Sequence, residues 1–291
     1  MEHMAGTLYL VATPIGNLED ITYRAVRVLA AVDLIACEDT RHTRVLLDHY
    51  QIKAKTISYH EHNERERATE LSAMLEAGAQ IALVSDAGTP GINDPGFRLV
   101  RECARLGISV VPVPGATAFV AALITSGLPT NDFFFGGFLP ARSTARRTRL
   151  MEVRALLSTL IFYEAPHRLA VTLKDAHEIL GERAAAVVRE LTKLHEEIAR
   201  GSLSELATRF AVEGAARGEI CLVIDRAAKE DVTATINEAA SLAARMATLE
   251  GEGLDARSAL KRVARESGLS RSEAYRRLVA ERAHAENQTP N

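Results

Sequence analysis

Four times in its first half this chain passes from a short apolar run into a polar turn and then into a stretch of helical period, and that alternation limits its fold most narrowly. The apolar runs are residues 8–11, 33–36, 81–84 and 110–113, and the helical stretches include 21–32, 64–77 and 97–106. A strand followed by a helix and another strand needs a crossover, and right-handed crossovers generate a parallel sheet. The four turns, 12–20, 37–42, 85–96 and 114–118, therefore leave one edge of that sheet. Open α/β sheets bind their ligands at that carboxyl edge.

The turn at 85–96 reads SDAGTPGINDPG, with three glycines, two prolines and two aspartates. Glycine permits positive φ and close backbone approach, proline stiffens the path, and the aspartates add charge, a costly combination for a mere connector. We read it as part of an active site.

A break at Leu128-Pro129 with Asn131-Asp132 precedes a second α/β pattern. Its strands are expected at 133–138, 159–163, 186–190, 195–200 and 219–224, and its helices at 146–157, 167–180 and 203–212. Closely spaced late strands imply a mixed sheet, and Ser202 with Glu205 stands at capping-box spacing. From residue 235 the pattern is helical, at 236–249, 256–266 and 272–282, and the stretch 264–275 has helix-turn-helix form with Ser270 and Glu273 capping its second helix. The expected domains are 6–128, 129–228 and a helical segment 233–284.

Composition narrows the partners. The 291 residues are 47% apolar and 25% charged, and no apolar run approaches the roughly 20 residues that span a bilayer, so a cytoplasmic protein without a membrane partner is expected. Cys37, Cys103 and Cys221 are odd in number and far apart, which suits buried reduced thiols better than disulfides or a zinc cage. Among the histidines only His60-Glu61-His62 approaches a ligand pattern, and no metal is expected. A net charge of -3 requires any nucleic acid to be held by local basic patches, of which there are two, 142–149 and 257–282. A solvated helix face explains either patch equally well.

The sequence lacks the glycine-rich dinucleotide and triphosphate fingerprints, the serine-hydrolase elbow and the His-Glu-x-x-His pair. What remains is a set of polar loops flanked by carboxylates, suited to a nucleoside-bearing cofactor. TPIGNL at 13–18, EDTRHT at 38–43, the 85–96 loop, VPG at 113–115, GFLP at 137–140, FYEAPHR at 162–168, RELTK at 189–193 and Gly218-Glu219 follow one another in order. On these motifs, which span residues 6–225, the chain resembles the tetrapyrrole methylase superfamily, and within it the branch that acts on ribosomal RNA.

The resemblance implies two α/β domains of the tetrapyrrole methylase type, a parallel-sheet N-terminal domain and a mixed-sheet second domain, with a folded S-adenosylmethionine between them and a helical C-terminal segment. It implies a homodimer that methylates the ribose 2′-hydroxyl of a decoding-centre cytidine in 16S rRNA of the small ribosomal subunit. Porphyrin-methylating relatives carry a Gly-x-Gly-x-Gly-Asp loop where TPIGNL stands at 13–18, which favours the RNA branch. A tetrapyrrole-type small-molecule methyltransferase and a non-catalytic nucleic-acid-binding protein are the alternatives.

On the family pattern the cofactor contacts are Asp86, Ala87, Gly88, Gly91, Ile92, Thr117, Ala118, Tyr163, Leu191 and Pro14. Asp86 reads otherwise as a turn cap, and the apolar members as plain core. The base that takes the hydroxyl proton is Asp39, Asp94 or Glu190, a choice the residues leave open. RNA contacts are assigned to Arg41, His42, Arg44, Arg146, Arg147, Arg149 and Lys193. For Arg41 an ion pair with Glu38 or Asp39 competes with that role.

Overall fold

The computed structural model describes residues 5–211, 218–228 and 242–286. Residue 212 of the predicted helix 203–212 and residues 236–241 of the predicted helix 236–249 lie outside the described residues, as does 233–241 of the expected helical segment.

Five parallel strands, β1 (Thr7–Val11), β2 (Leu34–Cys37), β3 (Thr56–Ser58), β4 (Gln80–Val84) and β5 (Ser109–Val113), form a sheet in the order β3-β2-β4-β1-β5. Its helices are α1 (Tyr23–Ala31), α2 (Thr40–His49), α3 (Glu64–Glu76) and α4 (Phe97–Leu106). Both faces are covered. Ala25, Leu29 and Leu47 from α1 and α2 pack with Val11, Ile35 and Val84 on one face. Leu71, Leu75 and Leu99 from α3 and α4 pack with Leu8, Ile81 and Leu83 on the other. Burial on two faces explains why β2 is buried at every position and reads as an unbroken apolar run. The neighbouring strands β1 and β4 send their helices to opposite faces, so their loops part and open a crevice at the carboxyl edge.

Two elements of this half depart from the sequence expectation. β3 was not expected, so Asp86 follows the fourth strand rather than the third. The turn 37–42 is also cut short, because Asp39 caps α2 and Arg41, His42 and Arg44 lie on that helix. The buried stripe of α2 is Thr43, Leu46 and Leu47, and a threonine in the first position hides the apolar period.

The second sheet holds β6 (Phe133–Phe138), β7 (Thr159–Glu164), β8 (Ala184–Arg189), β9 (Glu197–Ser202) and β10 (Ile220–Ile224) in the order β6-β7-β10-β8-β9. It is mixed, since β6 pairs with β7 in parallel and the other pairs are antiparallel. α6 (Ser143–Val153), α7 (Leu169–Leu180) and α8 (Leu203–Phe210) belong to this half. The expected capping box is present at the start of α8, where Ser202 and Glu205 satisfy each other's backbone N–H. A fifth helix of the first half, α5 (Ala118–Ser126), follows β5 yet lays Ala122 and Leu123 on Ile161, Val188 and Val223 of the second sheet. The two sheets are thereby parts of one compact unit, Met1–Met151 with Ser158–Asp225.

A second unit, Glu152–Leu157 with Arg226–Asn291, contains α9 (Leu242–Gly251), α10 (Ala256–Glu266) and α11 (Arg271–Glu286). Leu242, Met246, Leu249, Val263 and Leu278 form its core. Asp255 caps α10, and Ser270 with Glu273 makes a reciprocal cap at the start of α11. The three cysteines are buried and unbridged. No described helix is long and apolar enough to cross a membrane.

Candidate active site

The loops after β1, β4 and β5 are sewn together by short-range polar bonds. Thr13 and Gly88 exchange backbone hydrogen bonds of 2.8 and 3.1 Å. The Thr13 hydroxyl donates to the Ser85 carbonyl at 3.2 Å. Thr89 donates to the Ala116 carbonyl at 3.2 Å and shares a 2.8 Å hydrogen bond with Thr117. Gly88 has φ +81°, and a Cβ there would stand 3.3 Å from Ile15 Cγ2, so this crossing point suits glycine. Buried backbone groups are paired without regular structure, which keeps the crevice open and its walls fixed.

A cavity of about 400 Å³ occupies the crevice, within the usual range for small-molecule sites. Of the expected cofactor residues, Asp86, Ala87, Gly88, Ile92, Thr117, Ala118, Tyr163 and Leu191 line it. Pro14 lines a neighbouring cavity instead, and among the described residues Gly91 lines neither, its φ of +81° serving the turn. Ile15 from the β1 loop, with Val188 on β8 and Ile220 on β10, completes an apolar wall absent from the expected contacts, and the two strand residues read in sequence as core. Glu164 and Glu219 also line it, and the motifs FYEAPHR and Gly218-Glu219 carried that signal.

The three carboxylates proposed as base fall into different environments. Asp94 lines the cavity, and burial pushes its carboxyl up to about 6, helped by Glu38 and Asp86 and opposed by a hydrogen bond from Ser85. Asp39 lies outside the wall, forked by Arg41 through Nε at 3.1 Å and Nη2 at 2.7 Å, and those hydrogen bonds hold it well below the usual carboxylate range. Its backbone N–H donates to Asp86 Oδ1 at 3.0 Å, which helps fix that cavity-lining carboxylate. Glu190, with φ +52°, accepts from Lys193 Nζ at 2.9 Å, and that bond lowers its pKa. Of the three, Asp94 combines access with an affinity for protons in the neutral range.

Lys193 is held by Glu190 and also by Glu219, at 3.0 Å. The knot leaves no room at Gly218, where φ is +75° and a Cβ would overlap the Glu190 carboxylate. Gly218→Ala is expected to cost about 1–2 kcal/mol from the backbone alone and to free Glu190 from Lys193. The urea midpoint measures the first effect, and a rise in the Glu190 carboxyl pKa followed by NMR measures the second.

The expected RNA residues do not converge on one patch. His42 and Lys193 line the neighbouring cavity, and Arg44 is exposed on α2. Arg41 is 90% exposed but engaged by Asp39, so the competing ion pair is present. Arg146, also among the expected RNA contacts, is 4% exposed, with Nη2 2.6 Å from Asp175, and ties α6 to α7. Arg147 joins Asp175 and Glu178, and the Arg149 guanidinium lies over the Phe134 ring at 5.3 Å. A sequence cluster of arginines does not reveal which member turns inward.

Residues 7–207 match the family of Tetrapyrrole (Corrin/Porphyrin) Methylases. The chain is 51% identical over 271 residues to Ribosomal RNA small subunit methyltransferase I of Synechocystis sp., covering 93% of this chain and 96% of that protein. It is 48% identical to the protein of the same name from Halalkalibacterium halodurans, over 93% of each. The likeness to the one from Escherichia coli O157:H7 is 50%, over 80% of this chain and 83% of that one. Among solved structures, the methyltransferase CobJ superposes with a TM-score of 0.59 at 19% identity over 77% of this chain and 95% of its own. Uroporphyrin-III C-methyl transferase from Thermus thermophilus, complexed with S-adenyl homocysteine, gives 0.53 at 20% identity over 76% and 97%. At such identities these two structures speak for the fold alone.

Proposed function

The chain belongs to the tetrapyrrole methylase family, and from that premise we propose that it transfers a methyl group from S-adenosylmethionine to the ribose 2′-hydroxyl of a decoding-centre cytidine in 16S rRNA. Relatives 51% and 48% identical along nearly the whole chain carry the name of a ribosomal RNA methyltransferase. The observation that carries the reading is one cavity lined both by most of the expected cofactor contacts and by a carboxyl group near pH 6. A homodimer in the cytoplasm, with domains 6–128, 129–228 and 233–284, belongs to the same proposal.

The residues present fit the cofactor. Asp86 offers a carboxylate, the turn around Gly88 offers backbone groups, and Ile15, Val188 and Leu191 offer an apolar surface. When bound, S-adenosylmethionine supplies an already activated methyl on a sulfonium. The protein's task is therefore to align the acceptor oxygen and to receive its proton. Asp94 takes that proton, since its carboxylate is formed at neutral pH yet binds protons more strongly than an exposed aspartate. Asp39 and Glu190 act through others, the first by steadying Asp86 and the second by holding Lys193.

Radiolabelled methyl transfer to small ribosomal subunits lacking the modification, followed by mapping of the labelled nucleotide, tests the reading. Label on a decoding-centre cytidine ribose is expected. Label on a base, or no transfer to subunits despite cofactor binding, would refute the assigned acceptor.

A further inference from the structure

Next to the donor cavity lies a second one of about 350 Å³, reached past α2 and the Lys193 loop. We propose that it is the acceptor site and that it takes a single nucleotide turned out of its stack, with the phosphate at Lys193 and His42 and the ribose at the wall shared with the donor cavity. The inference rests on the RNA methyltransferase reading and adds to it where the substrate sits and in what form.

Three observations carry it. First, Ile15, Asp86, Ala87 and Glu219 line both cavities. Methyl transfer requires donor and acceptor atoms roughly 3–3.5 Å apart, and a wall common to two cavities is where two separately held ligands meet. Second, the lining has the graded character of a nucleotide. Pro14, Leu18, Val45 and Leu46 give an apolar slot for a flat ring, while Lys193 and His42 give cationic and hydrogen-bonding groups for a phosphate. Lys193 is fixed in advance by Glu190 and Glu219 at 2.9 and 3.0 Å, so little side-chain order remains to be gained on binding. Its closeness to the β1 loop depends on Gly16, where a Cβ would stand 2.5 Å from Lys193 Cγ.

Third, the slot contains a polar group with too little to bond. Thr43 lines the second cavity at 3% exposure. Its hydroxyl has no hydrogen-bond partner beyond a weak contact with the Cys37 thiol. Buried hydroxyls are rarely left so, and a ligand group in the slot would satisfy it. A base inside a helical stack cannot enter a recess of this kind. Enzymes that act on one nucleotide of structured nucleic acid extrude it, at a cost of a few kcal/mol that unpaired positions largely avoid.

The test uses the full chain with cytidine 5′-monophosphate as probe, in the presence of S-adenosylhomocysteine, read by saturation-transfer NMR. Val45 is 64% exposed, so Val45→Trp fills the slot from outside without entering the core. The expected result is cofactor affinity within about twofold of wild type, which also reports folding, together with loss of the nucleotide signal and a drop of about a hundredfold or more in methylation of small subunits. Thr43→Val, isosteric and without the hydroxyl, is expected to weaken the nucleotide by about tenfold. Nucleotide binding and methylation both unchanged in Val45→Trp would overturn the assignment and leave the enzyme reading intact. No nucleotide signal from the wild type would overturn it as well. Nucleotide binding that Val45→Trp abolishes, in a protein that does not methylate subunits, would keep the site and refute the ribosomal acceptor.

Discussion

Asp94→Asn is expected to lower methyl transfer by about 10² to 10⁴-fold, the usual contribution of a positioned base, while making the protein more stable at neutral pH. Both effects have one origin. The Asp94 carboxyl titrates near 6 in the folded chain against an ordinary value of 3.8, mainly because burial penalises its charge. The folded state therefore binds this proton more tightly than the unfolded state. That contribution to stability is complete below about pH 4 and is lost as pH rises through about 6. Above that point the folded protein carries a carboxylate it would be more stable without. The shift alone sets a ceiling of about 3 kcal/mol. Asp94 is only partly buried, and solvent screening reduces the cost to on the order of 1 kcal/mol. Urea midpoints at pH 5 and pH 8 are the check, with the wild-type advantage at pH 5 shrinking in the variant. The rate should rise with pH through about 6 in the wild type, following the Asp94 carboxyl. A variant that retains wild-type turnover would remove Asp94 from the mechanism, whatever its stability.

The first sheet is legible in the sequence because strand burial on both faces and glycine-rich turns write themselves plainly into residue type. The 85–96 loop needs Gly88, Gly91 and Gly96 at positive φ, so its composition announces its path. β3 and α2 are less legible, the one being three residues long and the other burying a threonine in its apolar stripe. Side-chain direction is the larger gap. Arg146 and Arg147 are neighbours in the chain and both bond Asp175, yet one is 4% and the other 41% exposed, because Arg147 also reaches the exposed Glu178. The carboxylates show the same limit. Asp39, Asp94 and Glu190 look alike in sequence, and their difference comes from Arg41, from burial and from Lys193 respectively. Motif position finds such a group, but only its neighbours in space decide its charge.

Glu164 is the second residue whose replacement should have a large effect, and here stability leads function. Its side chain is inaccessible to solvent at the end of β7. It accepts from Ala165 N–H at 2.8 Å and from the Thr172 hydroxyl at 2.6 Å, and it pairs with Arg168 at 2.8 Å. Arg168 in turn donates to the Leu139 carbonyl, so one carboxylate joins the loops after β6 and β7, and Glu164, Ala165 and Pro166 all face the donor cavity. Glu164→Ala leaves a largely buried guanidinium without its counter-charge, a change that typically costs about 3–5 kcal/mol. Glu164→Gln keeps the shape and an acceptor but not the charge, and should fall between. Replacing both partners, Glu164→Leu with Arg168→Leu, removes the stranded charge and should recover much of the loss. The cavity wall would still be altered, so cofactor affinity should remain reduced in the double variant even where its urea midpoint approaches wild type. A Glu164→Ala protein destabilised by less than about 1 kcal/mol would show the pair to be no more than a surface contact, and the wall's geometry would then need another support.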